Sequence, residues 1–305
     1  MEIKEITYLI ALAEEGSISK AAERLYMAQS SLSQFLAQYE HELGVKLFFR
    51  TARGIMLTPN GEIYLDRLRK MDAYYQRAQN ELHDNENMMS GQITLGISSF
   101  RGNRTLPLIL NSFYEKYPHV KVKVTEANIS VLEDELLAGT VDLALIAMPS
   151  TKIKHEVRLL YRDEIFLIVP RYHPVMRKAH YKEDGHGMWI DLKDTVDYNY
   201  IFSDYDTVLG KFARNIFKRE HLHVHTIHDN ITARMSATMA MEGVGLAFSY
   251  ASCILPGDKY ELLSVGEQGE FLNLGIANPT SEYHSQAAMK MEEVIREVYV
   301  GLKLE

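Results

Sequence analysis

Apolar residues recur at helical spacing through the first ninety positions, and strand-like runs take over after that. Ile3, Ile6, Ile10 and Ala13 step along one face of a first helix. In residues 16–39, GSISKAAERLYMAQSSLSQFLAQY, the inward stripe is Ile18, Ala21, Ala22 and Leu25. The paired alanines admit a close neighbour, and Ser17 is placed to cap. After a break at Tyr26 and Met27, Leu32, Leu36, Tyr39 and Leu43 form a second stripe with Phe35 beside it. The opposite face carries Gln29, Ser30, Ser31, Ser33, Gln34 and Gln38, with no carboxylate before Glu40. Residues 45–58, VKLFFRTARGIMLT, predict two short strands around a turn at 51–54, with Arg50 and Arg53 at its tip. Thr58 then caps a helix opened by Pro59, where a missing N–H costs nothing. Along it Tyr64, Leu68, Met71, Tyr75, Ala78 and Leu82 step by four and three, a coiled-coil seam on a rod about 40 Å long at roughly 1.5 Å per residue.

From Gln92 the runs QITLGI, VKVKVTEA, VDLALIAM, FLIVP, NYIFS, LHVHTI, GLAFSY and FLNLGIA read as strands. Between them 103–117, 131–138, 208–217, 231–241 and 281–302 read as helices. This alternation predicts α/β layers with mainly parallel strands.

Composition narrows the function. At 305 residues the chain holds two or three domains, and its net charge of −8 argues against generic polyanion binding. Up to Thr58 six basic residues face seven acidic ones, so any nucleic-acid reading rests on placement rather than on bulk charge. A single cysteine, Cys253, allows no internal disulfide and fits a structural thiol in a reducing compartment. The charged N-terminus and the short periodic run 6–13 match neither a signal core nor a membrane span, so a cytoplasmic protein is expected.

A helix in the DNA major groove lies between phosphate strands, where a carboxylate is repelled and an amide can read a base edge. The uncharged face after Met27 meets that demand, and a basic hairpin beside it can reach the phosphates. A helical hairpin with a polar solvent face would share the pattern of the two helices alone. The segments EEGSISKAAERL, AQSSLSQFLAQYEHELGVKLFFRTARG and LTPNGE together resemble the DNA-binding region of the LysR-type transcriptional regulators. The resemblance continues through LGI followed by SSF and a helix, and through GVGLAF, and covers nearly the whole chain. The family usually starts its recognition helix with a small capping residue, Gln and Pro. Here Ala28, Gln29 and Ser30 stand there, which leaves the cap to Ser30 or Ser31 and moves the expected helix start by a residue.

The resemblance implies a multidomain α and α/β chain: a winged helix-turn-helix (1–58), a linker and dimerisation helix (59–90) and an effector domain (91–305). The last is a two-lobed α/β domain of periplasmic-binding-protein type, lobe I at 91–161 and 268–305, lobe II at 162–267. DNA contacts then fall to Gln29, Ser30, Ser31, Ser33, Gln34, Arg50 and Arg53. Ligands of open α/β sheets settle beyond the carboxyl ends of strands, which selects Ser98, Ser99, Phe100, Arg101, Asn128, Ile129, Ala147, Ser203, Asp204 and Thr232. Arg101 asks for a carboxylate and Asp204 and Asp206 for an amino group, so the effector is expected to be amino-acid-like or a small organic acid. Alternation puts His221, His223 and His225 on one strand face, but no cysteine or carboxylate completes a metal site, and surface histidines without metal or cofactor are expected. No G-x-S-x-G elbow or phosphate loop supports an enzyme. The expected partners are double-stranded operator DNA, the effector and further copies of the chain, a homodimer through the linker helix assembling to a homotetramer.

Overall fold

The computed structural model describes residues 2–52, 54–85, 91–150, 152–153, 157–183, 185, 187–255, 257–279 and 284–302. They form two units, 1–86 with 138–140 and 87–137 with 141–305. In the first, α1 (Ile3–Glu15) opens with a reciprocal cap in which the Glu2 N–H donates to Glu5 Oε2 at 2.7 Å. Ser17 caps α2 (Ile18–Arg24), its hydroxyl accepting from the Lys20 N–H at 3.5 Å. There follow α3 (Gln29–Leu43), the antiparallel hairpin β1 (Phe48–Thr51) and β2 (Gly54–Leu57), and α4 (Pro59–Asn85). Leu9, Leu12, Ala21, Ala22, Leu32, Leu47, Leu65 and Leu68 share one core. Each leucine contributes about 2 kcal/mol through burial. The hairpin docks on the α1–α2 junction, where the Ile55 N–H donates to Gly16 O at 2.8 Å. Gly54 makes that approach possible: at φ +135° a side chain is disfavoured, and its Cβ would lie 2.2 Å from the Gly16 carbonyl oxygen.

Two expectations fail in α3. The helix starts at Gln29 behind an uncapped Ala28, so neither Ser30 nor Ser31 caps it. Helical φ/ψ from Gln29 onward needs only the Ala28 carbonyl, which accepts from Ser31 and Leu32 at 3.1 and 3.2 Å. Leu43 is exposed, and Glu40 is the residue turned inward, at 6% exposure. The chain reverses just after α3 and buries the N–H groups of Leu47 and Phe48, which donate to Glu40 Oε1 at 2.8 and 3.0 Å, while Lys46 Nζ reaches Oε2 at 2.7 Å. Burial pushes the Glu40 carboxyl up, but Lys46 and the two backbone donors prevail and hold it below its ordinary value.

The second unit runs β3 (Gly91–Ile97), α5 (Ser99–Lys116), β4 (Val120–Glu126), α6 (Ile129–Ala138), β5 (Leu143–Met148) and β6 (Val157–Pro170). It continues with β7 (His180–Tyr181), β8 (Met188–Ile190), β9 (Asn199–Ser203), α7 (Val208–Arg219), β10 (His225–Ile231) and α8 (Ala233–Met241). It closes with β11 (Ala247–Tyr250), β12 (Tyr260–Val265), β13 (Glu270–Ala277) and α9 (Gln286–Gly301). One lobe packs α5 and α9 on β3, β5 and β13 around Ile93, Leu95, Phe113, Leu143, Leu274 and Met291. The other surrounds the rings of Tyr200, Phe202, Phe217 and Phe248. The strands are ordered β4-β3-β5-β13-β6-β12-β8-β7, with β11 also on β6 and β9–β10 as a parallel pair. The sheet is therefore mixed rather than mainly parallel: β6 and β13 run between the lobes in opposite directions and pair antiparallel with their neighbours. Helix α5 begins four residues before the expected Asn103, α8 begins at Ala233, and the proposed start of the last helix at 281 lies outside the described residues.

Glu40→Ala leaves two buried N–H groups without an acceptor and is expected to destabilise the first unit by about 2–4 kcal/mol in urea denaturation. The wild-type carboxyl stabilises fully above the ordinary value of 4.5, and that contribution fades as pH falls through its lower folded value. Glu40→Gln should therefore show a shallower loss of stability between about pH 5 and pH 3 than the wild type.

Candidate functional site

The first site is the outer face of α3. Gln29, Ser30, Ser31 and Gln34 are solvent-exposed and Ser33 is half-buried. Ala28 supplies no capping oxygen, so the helix presents its first-turn N–H groups uncapped by a side chain. Arg50, in the hairpin, donates from Nη2 to Ser33 Oγ at 3.3 Å, which joins the wing to the helix. Arg53 lies outside the described residues. Among the acids of this unit Glu14 and Glu15 pair with Arg24 at 2.7 and 3.1 Å, Glu40 is inside, Glu42 accepts from the Gln38 amide at 2.8 Å, and Glu23 on α2 is exposed. Along α3 itself no carboxylate precedes Glu40, and the exposed amides and hydroxyls can donate and accept.

The second site is a cavity of about 270 Å³ between the lobes. Of the ten residues expected there, Ser98, Ser99, Phe100, Arg101, Asn128, Ile129, Ala147, Asp204 and Thr232 line it. Ser203 does not. It is buried at the end of β9, and its carbonyl accepts from Arg214 Nη1 at 2.9 Å. Leu209, Arg234 and Tyr250 also line the cavity and were missed. Leu209 and Arg234 each stand two residues after a capping threonine, Thr207 and Thr232, a spacing that could have flagged them; Tyr250 offered no signal beyond the end of a strand.

Arg101 answers the expectation of a free cation differently. At 4% exposure it donates from Nη1 to Asp163 Oδ2 at 2.5 Å and to Ser252 Oγ at 3.1 Å, and its guanidinium lies 4.1 Å from the centre of the Tyr250 ring. Burial works most strongly against the charge, but Asp163 together with Cys253, Tyr250 and Tyr299 outweighs it and raises the guanidinium further above its ordinary value. Its charge is thus met inside the protein, although Nη2 has no partner. Beside this pair, burial pushes the Cys253 thiol up to about 11, in keeping with a structural thiol.

The histidines do not share one strand face. β10 begins only at His225, and His221 closes α7 in a left-handed conformation at φ 54°. His221, His223, His225 and His228 are exposed, and among the described residues no group of His, Cys, Asp and Glu is placed to hold a metal ion.

Two family models match the sequence: the bacterial regulatory helix-turn-helix protein, lysR family, over 3–62, and the LysR substrate binding domain over 86–299. The chain belongs to the LysR family. Among LysR-family relatives, the HTH-type transcriptional regulators YcgK and AlsR of Bacillus subtilis (strain 168) are 30% identical over 171 residues and 34% over 181. Those alignments take in 56% and 58% of this chain and 53% and 59% of the relatives, so the chain spans little more than half their length. The crystal structure of CbnR, a LysR family transcriptional regulator, superposes with a TM-score of 0.68 at 19% identity, over 98% of this chain and 99% of that one. A second CbnR structure, complexed with its target DNA, also reaches 0.68. These likenesses establish a LysR fold, a helix-turn-helix domain followed by a two-lobed α/β domain. Among the described residues no helix is long and apolar enough to cross a membrane.

Asp163→Asn, which breaks the buried pair and strands Arg101, is expected to lower stability by about 3–5 kcal/mol in denaturant titration. Replacing both partners with Met and Leu should recover most of that loss. Iodoacetamide should alkylate Cys253 roughly a hundredfold more slowly at pH 8 than a thiol of ordinary value 9, with the rate still climbing past pH 10.

Proposed function

We propose that this LysR-family chain is a sequence-specific transcriptional regulator that docks α3 in the major groove of operator DNA and is controlled by a small molecule between its lobes. The uncharged outer face of α3 carries the reading, because a groove flanked by phosphates admits that surface and rejects a carboxylate-bearing one. Gln29, Ser30, Ser31, Ser33 and Gln34 face base edges and nearby phosphates, and Arg50 and Arg53 reach the phosphate backbone. The domain division is 1–58 for the winged helix-turn-helix, 59–90 for the linker and 91–305 for the effector domain, lobe I at 91–161 and 268–305 and lobe II at 162–267. Met71, Tyr75 and Leu82 lie exposed on α4, and Tyr74 beside them. An apolar seam of that length supports a homodimer through the linker, with two such dimers in a homotetramer. The cavity's position at strand ends supports an effector that alters lobe closure and with it the spacing of the DNA-binding arms. A protein with these partners works in the cytoplasm and needs no catalytic step.

Gel-shift titration with DNA from beside the protein's own gene tests the docking. Gln34→Ala should relax sequence preference, with a mismatch penalty of about 1–3 kcal/mol lost at one base position. Arg50→Ala should weaken all sequences alike and lower the salt slope by about one. Unchanged binding in both would contradict the assignment. Met71→Glu with Tyr75→Glu should shift the sedimentation coefficient toward the monomer, and retention of the dimer would remove α4 from the interface.

A further inference from the structure

The α5 wall of the cavity keeps unused N–H donors and the facing wall unpaired carboxylates, and we propose that its ligand is amphoteric, a small apolar molecule that carries both a carboxylate and an amine. This rests on the cavity being the effector site. Helices α5, α6, α7 and α8 all begin at it. Three of them spend their own side chains on the first turn: Asn128 Oδ1 accepts from the Val131 N–H at 3.1 Å, Thr207 Oγ1 from Gly210 at 3.0 Å and Thr232 Oγ1 from Met235 at 3.2 Å. Ser98 makes no such bond, so the opening turn of α5 keeps N–H groups and the positive end of its dipole for an outside acceptor. Arg101 sits in that same turn, nine-tenths buried and lining the cavity, and its Nη2 is a buried donor with no acceptor. An anionic group placed there meets both.

The facing wall has the reverse character. Asp204 is half-buried and Asp206 exposed, both line the cavity, and among the described residues neither side chain has a partner. Arg214 pairs with Asp229, whereas Arg234, which also lines the cavity, donates to the neutral Asn103 Oδ1 at 2.9 Å and keeps its charge as a further partner for a carboxylate. A simple anion would place its charge against two carboxylates, and a simple amine would leave the α5 turn and Arg101 unmet. Phe100, Ile129 and Leu209 supply the apolar wall between. At about 270 Å³ the space is below the usual range for drug-sized ligands and suits a molecule of amino-acid size.

Isothermal titration of the full-length protein with matched probes tests this: L-leucine against 4-methylpentanoate and 3-methylbutylamine, L-phenylalanine against 3-phenylpropanoate and 2-phenylethylamine, and 6-aminohexanoate against hexanoate and hexylamine. An amphoteric member should bind about tenfold or more tightly than both of its singly charged counterparts, and Asp204→Asn should erase about tenfold of its affinity. Equal binding by the acid or the amine, or indifference to Asp204→Asn, overturns the amphoteric assignment and leaves the cleft as effector site. So does failure of every probe to bind. Binding that survives Ala147→Phe, which fills the cavity, would instead move the site elsewhere and fail the underlying reading as well.

Discussion

Where the two lobes of the second unit join, a guanidinium and a carboxylate are both removed from water. Arg101 comes from α5, Asp163 from the middle of β6 and Ser252 from the turn after β11. Three segments distant in sequence therefore converge on one ion pair. Desolvating such a pair is costly, and it is tolerable here because Asp163 also accepts from the Ser252 N–H at 3.0 Å and the Ser252 hydroxyl at 2.7 Å. The first part of β6 pairs with β13 and the last part with β11 and β12, so both lobes share one strand. The pairing changes partners at Ile165, two residues beyond Asp163. Any reorientation of the lobes has to pivot near that point without separating the charges, which confines it to a small hinge.

How an acidic chain presents a face fit for a polyanion is answered locally. Glu14 and Glu15 are paired with Arg24, Glu40 is buried, Glu42 is bonded to the Gln38 amide, and α3 carries no carboxylate before Glu40. Net charge is a property of the whole surface, whereas groove docking samples a strip of one helix. The two therefore need not agree in sign.

Much of this was legible in the sequence, because caps, breakers and apolar periods are local signals. Ser17, Thr58 and Pro59 marked helix starts correctly, and strand β9 was read residue for residue. What escaped depends on groups that meet only in three dimensions. Glu40 was read as the first acid of a polar face, since nothing local reveals that Leu47 and Phe48 need an acceptor. Arg101 was read as waiting for a ligand because Asp163 lies sixty-two positions away. The start of α5 was placed four residues late, and Gly102 sits buried in the helix. Strand β12, YELLSV, was overlooked, although its apolar residues between Gly257 and Gly266 carried the signal. The histidine run misled in the other direction, since alternation in LHVHTI mimics a strand where the chain is still turning out of α7.

One small junction in the first unit has a mechanical consequence. The Thr58 hydroxyl accepts from the Gly61 N–H at 2.9 Å and donates to the Lys46 carbonyl at 2.7 Å, and the next residue, Leu47, donates its own N–H to Glu40 on α3. Short bonds and a few rigid peptide units thus link the stalk to the reading head with no slack loop between them. Torque applied along the stalk is delivered to the head as rotation instead of being absorbed at a joint.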